Sequence, residues 1–275
     1  MKVDPEALAG IEFDGPRPDA VEDSRKLPGA GENLAVDARQ PGEIYVPQPG
    51  LDQVHVLGTE DLLDVREFDA GVPPARVTLD RYSDVLFALS GDGHTVTRVD
   101  LAGKEVVAEA RIDGGRATLA QAGGSGSLWT AGPGGIALYG GPDLDLKGTV
   151  SLDAGGLAAD PEDPERAYAS DPGEGRVVAV EPEGTRDRLR VVAAADVGEG
   201  ARHLAVEQGR LYAIGEDALT VLDPENLKIV ETVDLDPVLR RAPFQGDKFS
   251  ALTVGEENVY VALAEAPYVL SLAKP

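Results

Sequence analysis

Three arginines recur at one kind of position in this sequence. Arg76 in ARV, Arg116 in GRAT and Arg202 in ARHL each stand at the start of a short apolar run. A guanidinium presents a planar fork of N–H donors that engages carboxylate or phosphate through two bonds at once. His203 follows Arg202 directly, and Arg240, Arg241 and Lys248 lie in the long connection DPVLRRAPFQGDK (236–248). Gathered on one face, these groups would bind an anion, so the candidate ligand-binding residues are Arg76, Arg116, Arg202, His203, Arg240 and Arg241. The competing reading assigns each arginine to an acid shortly before it, Asp69 to Arg76 and Asp113 to Arg116, as structural ion pairs.

The three histidines are His55, His94 and His203. Imidazole donors hold a transition metal only where they converge with one another or with carboxylates. His55 alternates with Val54 and Val56 in a run of strand period, and His203 is distant in sequence, so satisfied or solvated histidines are the expectation. His55, His94 and Asp92 are the weak candidates for a metal site. A divalent metal is the one cofactor that such a site would imply, and no cofactor is expected. Signatures of covalent or hydrolytic catalysis are missing: there is no G-x-S-x-G elbow, no H-E-x-x-H, no P-loop and no G-x-G-x-x-G after a strand. SGDGH (90–94) and SDPGEG (170–175) are acidic glycine turns without the ligand spacing of an EF-hand.

Composition narrows the partners. Asp and Glu number 49 against 25 Lys and Arg, a net charge of −24, and a field of that sign repels nucleic acid and anionic membrane surfaces. The absence of cysteine excludes disulfides, Cys-zinc sites and a thiol nucleophile. No apolar run approaches the ~20 residues of a membrane helix, and MKVDPEALAG lacks the apolar centre of a signal peptide. A start on a trimmed secreted protein or lipoprotein fits the same residues.

The candidate residues are positioned by short strands. From Asn33 to Gly71 the apolar runs LAV (34–36), EIYV (43–46), QVHV (53–56) and DVREF (64–68) are rich in residues that suit a pleated surface. We label them A to D. They are separated by ARQPG, PQPG and GTED, turn sequences short enough to require antiparallel hairpins. The unit then repeats. An aromatic in strand B recurs as Tyr45, Phe87, Trp129, Tyr168, Tyr212 and Tyr260 at steps of 39 to 48 residues, and Val54, Val96, Ile136, Val177, Leu219 and Val269 form a second column in strand C. Four strands per unit of ~40–45 residues is the signature of a propeller.

A third column, Asp69, Asp113, Asp153, Asp196 and Asp236, marks the ends of strand D in five units. The sixth unit stops after strand C. Residues 10–15, GIEFDG, match the end of the first unit, REFDAG (66–71), and supply the missing strand. The expected fold class is therefore all-β: a single β-propeller of six four-stranded blades, its ring closed by an N-terminal strand pairing with the last blade. The blades fall at 32–71, 72–115, 116–155, 156–200, 201–248 and 249–275 plus 10–15, preceded by an arm over 1–31.

NLAVDARQPGEIYVPQPGLDQVHVLG and HLAVEQGRLYAIGEDALTVLDPENLKIVETV resemble the six- and seven-bladed propellers of the YVTN and NHL repeat families. The likeness is weakest in the glycine-rich third unit, AGGSGSLWTAGPGGIALYGG (122–141). The resemblance implies an extracytoplasmic location, secreted or lipid-anchored with its signal removed. It also implies a non-catalytic binding or interaction module using the top face and channel mouth. The partners it implies are a protein or a small anionic ligand, with no nucleic acid, no membrane insertion and a monomeric chain. The alternative within the same families is a metal-assisted lactonase-like hydrolase or lyase, or a metal-carrying propeller. Such lactonases place Glu, Asn and Asp around the channel, whereas this chain has three asparagines, and only Asn33 stands at an A-strand start.

Overall fold

A computed structural model describes residues 33, 35–37, 42–58, 64–80, 84–113, 115, 118–121, 126–184, 187–240, 248–254, 258–263 and 269–274. Their strands form six antiparallel sheets in chain order. The first is β1 (Ala35–Asp37), β2 (Glu43–Gln48), β3 (Gln53–Gly58) and β4 (Asp64–Asp69). The second is β5 (Pro74–Asp80), β6 (Val85–Ser90), β7 (Thr95–Asp100) and β8 (Glu105–Arg111). The third is β9 (Thr118–Gln121), β10 (Leu128–Gly132), β11 (Gly135–Gly140) and β12 (Asp145–Val150). The fourth is β13 (Gly156–Ala159), β14 (Ala167–Asp171), β15 (Arg176–Pro182) and β16 (Leu189–Asp196). The fifth is β17 (His203–Glu207), β18 (Arg210–Ile214), β19 (Ala218–Leu222) and β20 (Ile229–Asp234). The sixth has three strands among the described residues, β21 (Phe249–Val254), β22 (Asn258–Leu263) and β23 (Val269–Ala273). Residues 10–15, expected as its fourth strand, lie outside the described residues. So do the whole arm over 1–31 and its expected boundary.

Contacts gather the described residues of 25–167 and 180–190 into one compact unit and those of 168–179 and 191–275 into another. In the first, one core joins the first two sheets through Tyr45, Val54, Val56, Phe68, Val77 and Leu86. A second joins the second and third sheets through Phe87, Val96, Leu128 and Tyr139. In the other unit, Tyr168, Val177, Leu211 and Leu222 form one core, and Tyr212, Leu219, Val259 and Val261 form the next.

The two sequence columns coincide with strand register. In strand pairs B and C, Tyr45 faces Val56, Phe87 faces Arg98, Trp129 faces Leu138, Tyr212 faces Val221 and Tyr260 faces Ser271. The strand-C column stands two residues earlier in every case, so both columns mark equivalent places. The aspartate column does not. Asp69 ends β4, but the position equivalent to it is Arg111 in β8 and Asp234 in β20, opposite Gln53, Thr95 and Ala218 respectively. Asp113 and Asp236 lie two residues further on, in the connection. An aspartate there is favoured by turn chemistry. Asp69 and Asp234 each accept a hydrogen bond from the N–H two residues ahead, at 2.6 and 3.0 Å.

Tyr45, Phe87, Trp129, Tyr168 and Tyr212 of strand B are buried, and two of them reach a carbonyl in a loop. Trp129 Nε1 donates to the Pro164 carbonyl at 3.2 Å and Tyr168 Oη to the Pro224 carbonyl at 3.1 Å. The outer strands are largely exposed and carry β-bulges at a common place, with Val65, Val107, Lys147 and Val230 as the additional residue. Three of these are the half-exposed valines of the outer surface. A bulge twists the edge and interrupts its ladder, which hinders pairing with another chain.

Two local features depart from what the turn sequences predict. Leu144 and Leu227 adopt left-handed backbone, φ 56° and 55°, just before β12 and β20, where glycine or asparagine is expected. Both side chains are buried. Full burial of a leucine is worth about 2 kcal/mol, which offsets the ~1–2 kcal/mol cost of that backbone. A four-residue helix, α1 (Asp236–Leu239), opens the long connection read as loop from the sequence.

The third sheet, least like the others in sequence, is a regular four-stranded sheet because its glycines sit where side chains cannot. Gly135 has φ +106°, and a Cβ built on it would lie 2.5 Å from the Val150 carbonyl oxygen. Gly135→Ala is expected to cost roughly 2–4 kcal/mol in urea unfolding. Gly50→Ala, with nothing within 4 Å of its added carbon, should stay within about 0.5 kcal/mol of the parent.

Candidate functional site

The strand ends that carry the B-to-C loops also carry the starts of the A strands, because neighbouring strands are antiparallel. Most of the candidate arginines lie at this end. Arg76 sits half-buried in β5 beside a register shift, paired through Cα with Leu89. Arg202 is exposed just before β17, its own N–H bonded to the Ile214 carbonyl at 3.2 Å, and His203 is half-buried as the first residue of that strand. Arg240 follows α1 and is exposed. Its guanidinium closes on Asp236, with Nε 2.8 Å from Oδ1 and a terminal nitrogen 2.5 Å from Oδ2. Arg116 and Arg241 lie outside the described residues. Arg76 belongs to the first unit, and Arg202, His203 and Arg240 belong to the second.

Around Arg202 the second unit forms an open cavity of about 470 Å³. Three loops build it: Pro172–Gly175 between β14 and β15, Asp196–Arg202 leading into β17, and Glu216 between β18 and β19. Backbone hydrogen bonds lock the loops together, from Val197 to the Gly175 carbonyl at 2.9 Å and from Glu216 to the Glu199 carbonyl at 3.3 Å. Inside the first loop Asp171 accepts both Arg176 Nε, at 3.1 Å, and a second guanidinium nitrogen at 2.9 Å. Gly200, at φ +75°, lets Glu216 lie across it; a Cβ there would come within 2.3 Å of Glu216 Cγ. The charged lining is Glu174, Asp196, Glu199 and Glu216 against the single Arg202. A mouth of that sign attracts cations and opposes a free anion.

The histidines are engaged separately. His55 Nε2 is hydrogen-bonded to Asp64 across the β3–β4 pair, with Nδ1 3.9 Å from Glu67. His94 Nδ1 bonds to the Ile112 carbonyl at 3.1 Å. Asp92 caps its turn, its Oδ1 accepting the Ser90 hydroxyl at 2.6 Å and the His94 N–H at 2.9 Å. These bonds, the Ser90 one first, hold its carboxyl below the usual range. Among the described residues no three His, Asp or Glu side chains converge as metal ligands would.

A polar cluster that the sequence reading did not single out lies at the opposite end of the first sheet. Arg66 on β4 forks onto both carboxylate oxygens of Glu43, at 2.7 Å for one arm, and the same arm reaches Tyr45 Oη at 3.1 Å. Tyr45 in turn donates to Glu43 at 2.6 Å, and Arg66 lies 5.8 Å from the centre of its ring. With Asp37, Asp84, Leu101 and Ala102 these residues line a cavity of about 210 Å³. The signal was present in the alternation: Tyr45 faces Val56 and Val56 faces Arg66, so one row across three strands carries both.

Burial would raise the Glu43 carboxyl, but the hydrogen bonds from Arg66 and Tyr45 and the attraction of the guanidinium outweigh it and hold the group below its ordinary value of 4.5. Burial and the bond to Glu43 push the Tyr45 phenol upward. A carboxyl depressed on folding stabilises the protein above its unfolded pKa and loses that contribution as pH falls through the folded one. Glu43→Gln is therefore expected to cost about 1–3 kcal/mol at pH 7. The difference from the parent in chemical unfolding should shrink as pH drops below 4.5; an equal difference at pH 7 and pH 3 would contradict the assignment.

No known family profile matches the sequence, and no curated protein matches it. Solved structures do. The β-propeller domain of Cps50 (Swd1) from Myceliophteria thermophila superposes with a TM-score of 0.68 at 12% identity, covering 89% of this chain and 82% of that one. A chain of the mitotic checkpoint complex superposes with a TM-score of 0.64 at 14% identity, covering 93% and 81%. At such identities the likeness concerns fold alone. Together with the four-stranded antiparallel sheets, it shows that this chain has the β-propeller fold.

Proposed function

We propose that the chain is a non-catalytic interaction module of the YVTN/NHL repeat kind that works outside the cytoplasm. It binds a protein partner through the loop end of its blades. The location and the repeat type rest on the sequence resemblance. The propeller fold supports use as a protein-interaction module, because regular sheets hold variable loops at a fixed end. The observation that carries the choice of partner is the setting of Arg202. The exposed arginine nominated for an anion stands among four carboxylates contributed by three loops. Arg240, the other exposed one among the described residues, is already forked on Asp236. A partner with a lysine- or arginine-rich segment complements this surface, with Arg202 fixing the position of one acidic group of that partner.

Calorimetry with a deca-lysine peptide and, separately, with inorganic phosphate tests the reading. The peptide is expected to bind with an affinity that falls steeply with salt. Glu199→Lys combined with Glu216→Lys should weaken it at least about tenfold, while the same charge change at Glu105 and Glu109 on the exposed outer strand β8 should weaken it far less. Equal losses from both double variants would reduce the binding to bulk charge and overturn the reading. Saturable phosphate binding abolished by Arg202→Glu would establish the small-anion alternative in its place.

A further inference from the structure

Arg202 is exposed, and among the described residues it forms no ion pair, although Glu174, Asp196, Glu199 and Glu216 line the same cavity. An open guanidinium calls for an anion, yet the field of four carboxylates turns away an anion that arrives alone. A ligand meets both conditions when it carries an anion and a cation on one small body. The cavity has the size for one, since its volume of about 470 Å³ falls within the roughly 300–1,000 Å³ of small-ligand sites. The loop that carries Arg202 offers further donors. Gly198 and Gly200 have φ of +87° and +75°, and Glu199 between them is not in the left-handed region. Alternating hand of this kind is how backbone nests turn successive N–H groups to one side and hold carboxylates. The N–H groups of Gly198 and Glu199 bond to no described residue, and Glu216 lies across Gly200, which sets a carboxylate beside these donors.

On the same reading of this loop end as a docking surface for a basic partner, we infer that the cavity takes the partner's last residue, a lysine or arginine at a free C-terminus. Its α-carboxylate engages the Arg202 guanidinium and the N–H groups of Gly198 and Glu199. Its side-chain cation lies among the four carboxylates. A basic residue inside a chain supplies the cation alone and leaves Arg202 open. An acidic side chain supplies the anion alone, against the field. A terminal basic residue supplies both within the length of one side chain. The site is also built before the ligand arrives, because the Val197 N–H is bonded to the Gly175 carbonyl at 2.9 Å, that of Glu216 to the Glu199 carbonyl at 3.3 Å and that of Arg202 to the Ile214 carbonyl at 3.2 Å. Little loop ordering then opposes binding.

Calorimetry on the full chain tests this with acetyl-Gly-Gly-Gly-Lys as the free acid, the same peptide as its C-terminal amide, and the free acid extended by one further glycine. The first peptide is expected to bind at least about tenfold more tightly than either of the others. Bulk charge would give the opposite order for acid and amide, since the amide carries one more net positive charge. Arg202→Met, a change at an exposed side chain, should bring the acid down to the level of the amide while binding of the amide is retained. Equal affinity of acid and amide, with the deca-lysine peptide still bound, would overturn the inference and leave the docking surface standing. An advantage of the acid that survives in Arg202→Met would overturn it too. Tighter binding of free lysine than of the acetylated peptide would assign the cavity to an amino acid and overturn it as well. Binding of no basic peptide at all would remove the docking surface, and the inference with it.

Discussion

Burial of the inner strands on both faces is the constraint on which everything else rests. All residues of β6, β10, β11 and β14 are buried, whichever way their side chains point. A lone sheet of four strands cannot bury both faces, so each unit of this chain is stable only against its neighbours. Buried aromatics of strand B fill the space between adjacent sheets, and loop carbonyls that receive the Trp129 N–H and the Tyr168 O–H fix two of them there. Polarity is thereby pushed outward to strand D and to the two loop ends. The loop ends carry the variation between units.

That division shows in the company that several arginines keep among the described residues. Arg66 is held by Glu43 and Tyr45, Arg176 by Asp171 and Arg240 by Asp236, each within a single hairpin, sheet or turn. Charge-assisted forks of this kind order a loop or a strand edge. Arg202 differs in that the carboxylates lining its cavity, two from its own loop and two from other loops, form no fork with it among the described residues. The cavity keeps its negative field because one guanidinium cannot neutralise four carboxylates.

The exposed outer strands pose the opposite problem. They are apolar enough to invite pairing, with valines at the bulges and isoleucine and valine at the start of β20, yet the shared bulge breaks the regular ladder that a foreign strand would need. Among the described residues the sixth sheet ends at β23, which pairs with β22 without a register shift.

By itself the sequence determined the repeat and the order of strands within each unit. The strand-B aromatics and strand-C aliphatics fall at equivalent paired positions because strand period and hairpin length are local properties, repeated in each unit and imposed by sterics and turn chemistry. It misled where one residue type serves two local purposes: aspartates that end a strand and aspartates that open the following connection formed a single column in sequence but occupy different positions in register. Leu144 and Leu227 in left-handed turns were equally hidden, since their backbone cost is offset by burial that no local pattern displays. Only the tertiary structure decided the company each charge keeps. Glu174, Asp196, Glu199 and Glu216 line one cavity with Arg202 from loops scattered over more than forty residues, and Glu43 on β2 meets Arg66 on β4. Electrostatic surroundings depend on where distant loops are brought together, and that is fixed by the packing of whole sheets.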